Sequence, residues 1–231
     1  MTACAQCLVR NRAICASLGT TELEALNKLA RRQTIQRGQP LIWQGGESVL
    51  VANVIEGVLK LSTSTPDGRE QIVGLVYPGD FIGRPFGETS AHSVTALTDA
   101  RLCSFTRSTF DQFARTHPAL EHKLLQRTLA DLDHARHWML LIARKSARER
   151  VATFLIDMSH RLGQTNCAGP DALDSFALPL DRQQIGDLLG LTIETVSRQI
   201  TQLRAAGMID TPDRRTIAIR DRSAMAAIAG L

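Results

Sequence analysis

Gly46, Gly57, Gly68 and Gly79 recur every eleven residues, and short aliphatic, β-branched runs fill the intervals. Two such runs are Leu50-Val51-Ala52-Asn53-Val54-Ile55 and Gln71-Ile72-Val73-Gly74-Leu75-Val76-Tyr77. Asp67-Gly68 and Pro78-Gly79-Asp80 are turn sequences. This spacing commits the stretch from Gln33 to about Arg107 to short strands joined by glycine corners, a small β-barrel or jelly roll.

The pattern changes on either side of that stretch. Residues 107–120 read as a short helical connection, with Pro118 marking a boundary. Beyond it Leu125, Leu129, Leu132, Ala135, Met139 and Ile142 recur at gaps of three and four. That seam suits packing against another helix of its kind, a second copy of the chain; the alternative is burial against the chain's own barrel. Basic residues Arg144, Lys145, Arg148 and Arg150 close it. A second helix follows at about 147–162, and residues 163–176 read as a polar surface loop holding Cys167.

At the N-terminus Cys4, Cys7 and Cys15 form a Cys-x2-Cys-x7-Cys set. Thiolates at such spacing suit a soft metal or an iron–sulfur cluster. Thr20-Thr21-Glu22-Leu23-Glu24 then predicts a Thr-capped amphipathic helix carrying Leu23, Leu26 and Leu29.

Composition narrows the classes. The chain's 231 residues suffice for two modest domains, and a hydrophobic fraction of 44% with 22% charged residues is ordinary for a globular protein. Aromatics at 4% argue against a stacking surface for single strands. A net charge of +4 permits a polyanionic partner. No apolar run is long enough for a bilayer span, and the N-terminus lacks signal-peptide character, so a cytoplasmic protein is expected. In a reducing compartment five cysteines point to metal or redox use rather than disulfides.

The segment Arg182-Gln183-Gln184-Ile185-Gly186-Asp187-Leu188-Leu189-Gly190-Leu191-Thr192-Ile193-Glu194-Thr195-Val196-Ser197-Arg198 fits a helix-turn-helix. Gly186 sits where the helices touch, and Gly190 permits the turn. Ile185, Leu189, Leu191 and Val196 make a small core, with Gln199 where an aliphatic residue is usual. A second helix starting near Ile193 presents Glu194, Ser197 and Arg198, flanked by Thr192 and Thr195. Arg can bond guanine O6 and N7, Glu can accept from cytosine N4, and Ser or Thr can meet bases or phosphate. Glu194 and Arg198 also have the spacing of an ordinary surface pair. Gly207 ends this helix. Residues 209–220 read as a hairpin wing turning at Pro212-Asp213-Arg214-Arg215, with Arg214 and Arg215 placed for phosphates.

Over nearly its whole length the chain resembles the Crp–Fnr superfamily of bacterial transcription regulators. The run Ile185 to Arg198 is most similar to the Fnr branch, the fumarate and nitrate reduction regulators. The resemblance implies an α+β chain: a cysteine-rich segment (1–20), a jelly-roll-like β-roll sensor domain (21–120), a long dimerisation helix (121–146) and a winged helix-turn-helix (147–231). It implies a homodimer acting on double-stranded DNA at a TTGAT…ATCAA-type palindrome, with RNA polymerase as a further partner. It also implies a [4Fe–4S] cluster on Cys4, Cys7, Cys15 and Cys103, because Cys103 falls where the branch has its fourth ligand. The implied activity is activation of transcription under low oxygen, with no enzymatic turnover. Nucleotide-binding members of the superfamily carry an Arg beside a Ser or Thr soon after a Gly-Glu. Here Gly87-Glu88 is followed by His92-Ser93, so a cyclic phosphate lacks its charge-assisted partner and no cyclic nucleotide is expected.

Other readings stay open at this stage. Zinc could replace iron, or the regulator could hold no metal and ignore oxygen. Cys4 and Cys7 could serve a thiol-redox enzyme, although no βαβ setting accompanies them. The helix-turn-helix could bind DNA without sequence preference.

Overall fold

The structure is a computed structural model that describes Cys4, residues 6–165 and residues 172–231. The chain divides into two compact units between Ala135 and Arg136. Cys167 lies outside the described residues. Among those described, no helix is long and apolar enough to cross a membrane.

The first unit opens with a 3-10 turn at Ile14–Ser17 and helix α1 (Thr20–Leu29). Thr20 is the first helical residue rather than the expected cap. Gly19 holds that place, and its N–H donates to the Glu22 carboxylate at 2.8 Å. Eight strands follow: β1 (Arg31–Ile35), β2 (Pro40–Ile42), β3 (Leu50–Glu56), β4 (Leu59–Ser64), β5 (Glu70–Val76), β6 (Phe81–Ile82), β7 (Ser93–Ala96) and β8 (Ala100–Thr106). They form two antiparallel sheets, ordered β1-β8-β3-β6 and β2-β7-β4-β5. Ile35, Ala52, Val54 and Leu102 of the first sheet pack with Leu59, Val76 and Val94 in one buried core.

The glycine corners follow the sequence expectation with one exception. Gly57, Gly68 and Gly79 take positive φ, whereas at the first corner Gly45, not Gly46, is left-handed. At Gly57 a side chain would also collide with the Asp99 carbonyl.

Strand β3 is buried on both faces. Ala52 and Val54 face the core, while Val51 and Ile55 pack with the N-terminal segment. Helix α2 (Arg107–Arg115) packs on β3 and β8, and helix α3 (Pro118–Arg144) begins with a proline, favourable in a first turn. The division between the two units falls inside α3.

The second unit holds α4 (Ala147–Thr165), strand β9 (Ser175–Ala177), α5 (Arg182–Leu189), α6 (Ile193–Ala205), β10 (Ile209–Asp210), β11 (Thr216–Ile219) and α7 (Arg222–Ala229). The expected two-stranded wing is a three-stranded sheet, β10-β11-β9, because Phe176 pairs with Ile217. The expected surface loop therefore ends before Ser175. Helix α4 packs against α6 and α7. Lys145 and Arg150 pin this unit: Lys145 donates to the Ala229 carbonyl at 2.5 Å and Arg150 to the Leu189 carbonyl at 3.1 Å.

Candidate metal centre and nucleic-acid interface

In the first unit, Cys4, Cys7, Cys15 and Cys103 line one small pocket. The first three lie in the N-terminal turns, while Cys103 rises from the outer face of the β1-β8-β3 sheet. Ile14, Leu18, Leu23 and Leu26 seat the segment on Val51, Phe105 and Phe110. Val9 and Ala13 pack on Ile55. Apolar burial thus brings three thiols to the fourth.

Burial and neighbouring thiols act together on Cys4, Cys15 and Cys103. Cys15 is pushed up to about 11, first by burial and then by Cys7 and Cys4. Cys103 is pushed up to about 12, first by burial and then by Cys4, Cys15 and Cys7. Cys4 is raised by burial and by Cys7; its thiol donates to Asn27 Oδ1 at 3.1 Å. Burial and neighbouring sulfurs thus disfavour negative charge on Cys4, Cys15 and Cys103, a penalty that a bound cation would offset.

The donor set is all thiol, with Arg10, Arg32 and Asn53 beside it. Four thiolates fit a [4Fe–4S] group, and they are equally a donor set for a tetrahedral zinc.

Several lining residues were not anticipated from the sequence. Arg32 and Asn53 flank Cys103 in register, Arg32 on β1 and Asn53 on β3. Both line the pocket, as does Arg10. Arg32 and Arg10 favour the charged form of Cys4. A polar residue within Leu50–Ile55 was the one available signal for Asn53.

Near the β-roll's Gly87-Glu88, His92 Nδ1 lies 2.9 Å from Thr63 Oγ1, and Ser93 Oγ accepts from the Gln44 N–H at 3.0 Å. Both side chains are thus engaged within the roll.

The reading head is built locally in the second unit. Asp181 caps α5 by accepting from Gln184 N–H at 2.8 Å, and Gln184 returns a bond to Asp181 N–H at 3.0 Å. Gly190 ends α5 in the left-handed region. A Cβ on Gly186 would stand 2.5 Å from the Leu191 carbonyl, so only glycine allows this close turn. Ile185, Leu189, Val196, Ile200 and Leu203 are buried. Gln199 is buried with them, and its Oε1 finds no partner.

Glu194, Ser197 and Arg198 are all exposed on α6. Among the described residues no ion pair joins Glu194 to Arg198. Thr192 caps α6, accepting from Thr195 N–H at 3.3 Å, and its hydroxyl donates to that of Thr195 at 3.1 Å. These two threonines therefore build the start of the helix, whereas the sequence offered them as DNA contacts. Glu194 is held below its ordinary value by its own backbone N–H and by Thr192, so it stays an acceptor at neutral pH. In the wing Asp213 accepts from Arg215 N–H and Thr216 N–H at 2.7 and 2.8 Å, leaving the Arg214 side chain exposed at the tip.

A glycine-cornered roll followed by a long helix and a winged helix-turn-helix defines a transcription regulator rather than an enzyme. The family model described as a Crp-like helix-turn-helix domain matches residues 149–228, and that of a cyclic nucleotide-binding domain matches residues 32–117. The transcriptional activator protein FnrL of Cereibacter sphaeroides is 39% identical over 98% of this chain and 92% of its own. The fumarate and nitrate reduction regulatory protein of Salmonella typhimurium is 30% identical over 98% of this chain and 90% of its own. The solved structure of FixK2 from Bradyrhizobium japonicum is similar at a TM-score of 0.78 and 32% identity, covering 86% of this chain and 96% of that one. The chain belongs to the Crp–Fnr family of DNA-binding transcription regulators.

Proposed function

We propose that this chain is an oxygen-responsive transcription activator of the Fnr type. In this reading Cys4, Cys7, Cys15 and Cys103 hold a [4Fe–4S] cluster, and a dimer reads a TTGAT…ATCAA-type palindrome to activate transcription by RNA polymerase. The observation that carries it is the meeting of Cys103 with the three N-terminal cysteines around one pocket. Those four thiolates would hold the cluster, which would supply an oxidisable iron–sulfide core sensitive to oxygen.

The chain's own residues suggest how that state reaches the dimer seam. Cys4, Cys15 and Cys103 border the buried cluster that contains Leu120, and Leu124 packs on it, both on α3. The Pro78-Gly79-Asp80 turn gives a second route. Gly79 lies against the Arg12 side chain, and the Asp80 carboxylate pairs with Arg127 of α3. Holding the cysteine segment in place thus steadies the first half of α3. A dimer would set two α6 helices roughly 34 Å apart, one turn of DNA.

The test is operator binding by anaerobically loaded and cluster-free protein, with iron and sulfide quantified in each, alongside Cys103→Ser. The expected result is four irons per chain in the parent, fewer in the variant, and tight binding only by the loaded parent. Equal operator affinity with and without the cluster overturns the reading.

A further inference from the structure

Asn53 is the polar side chain that the cysteine pocket leaves unexplained. It is 3% exposed, and its Oδ1 has no hydrogen-bond partner. An orphaned buried amide oxygen is costly in a chain that gains nothing from it. Asn53 sits midway along β3, directly across from Cys103 on β8, and both line the pocket. Cross-strand neighbours in an antiparallel pair hold their Cβ atoms about 4.5–5.5 Å apart, within reach of a bond between an amide and a sulfur. The pocket's uncharged lining is otherwise apolar: Val9, Ala13, Leu23 and Ile55.

An amide offers an acceptor at one end and two donors at the other, exchanged by a half-turn of its last torsion. Beside a neutral thiol neither end has a strong partner. Beside a metal-bound thiolate the donor end does, because a sulfur carrying negative charge accepts hydrogen bonds well.

Resting on the cluster reading above, we propose that Asn53 is a positioning residue for the fourth ligand. Its side-chain N–H donates to the Cys103 sulfur once that sulfur binds metal, which holds the thiolate in place and raises the reduction potential of the centre. Hydrogen bonds to ligand sulfurs are an established lever on such potentials, and outer-shell partners of metal ligands commonly alter affinity by about 10–100-fold.

The test compares the full-length parent with Asn53→Leu, which keeps the volume and removes the donor. Each is loaded anaerobically with ferrous iron and sulfide. Iron transfer to a chelator is timed under nitrogen, the midpoint potential is measured, and the melting temperature of the metal-free chain is recorded. The variant should release iron about tenfold faster and show a more negative potential. Its metal-free chain should melt at a higher temperature, because the orphaned oxygen is gone. These opposite movements distinguish positioning from packing. If Asn53→Leu fails to fold, Asn53→Ala supplies the iron-release and potential measurements. Parent-like release and potential in a loaded variant overturn the proposal. So does a lower melting temperature with an unchanged potential. A parent that takes up no iron and sulfide overturns the cluster reading instead, and this inference with it.

Discussion

Arg198 and Glu194 show how little of a reading head is chemistry and how much is support. Both side chains are exposed, and no ion pair ties one to the other. Their position depends on Gly186, whose missing side chain lets α5 and the following turn approach. Arg198→Ala should relax discrimination at one operator position by about 1–3 kcal/mol and leave the other positions unchanged. Fluorescence anisotropy on singly substituted operators measures this; a uniform loss at every position would mean that Arg198 only meets phosphate. Gly186→Val should lower stability by about 1–3 kcal/mol through the clash with the Leu191 backbone. A thermal melt of the variant checks it. The cysteines that share one pocket and the exposed start of α6 were legible in the sequence because their chemistry is rare or their motif dense. Asn53 was not, because β3 is buried on both faces and no alternation separates core-facing from segment-facing positions.

Strands, helices and turns were legible to different degrees for similar reasons. The roll announced itself through its glycine corners, and α3 through its apolar period. Strand β9 is three residues long, too short for any period, so the wing appeared to have two strands rather than three. Helix α7 is alanine-rich and short, and its pattern did not stand out. The start of α1 depended on a Glu22 side chain reaching back to Gly19, which a threonine-rich sequence hides. The wing turn carries its own prediction. Asp213 is held below its ordinary value first by the Thr216 hydroxyl and then by the Arg215 and Thr216 N–H groups. A lowered carboxylate pKa stabilises the folded turn fully above the unfolded value. That contribution is lost as pH falls through the lowered, folded value. Amide exchange at Thr216, corrected for its intrinsic pH dependence, should therefore show full protection at neutral pH and loss of protection in acid. Asp213→Asn should flatten that profile, and a parent whose profile is already flat would contradict the assignment.

At the largest scale, a stripe of apolar side chains on the long helix is exposed. Leu129 is 54% exposed and Met139 70%, and Leu125, Leu132 and Ile142 are also exposed. Leu125, Leu129 and Leu132 lie in the same unit as the roll and are not buried against it, the alternative considered from the sequence. Pairing of two copies along α3 would bury the same stripe twice. Leu129→Ala then removes about 2 kcal/mol per copy, or about a thousandfold in the dimer constant. Sedimentation velocity across a concentration series measures the shift, and an unchanged dimer constant would place the interface elsewhere. The uncovered stripe also has a quantitative consequence for the response. Because each functional unit consumes two chains, below the dimer constant its abundance grows as the square of the chain concentration. A twofold rise in expression then yields about a fourfold rise in paired protein, so synthesis rate and pairing strength together set how sharply the target promoters switch.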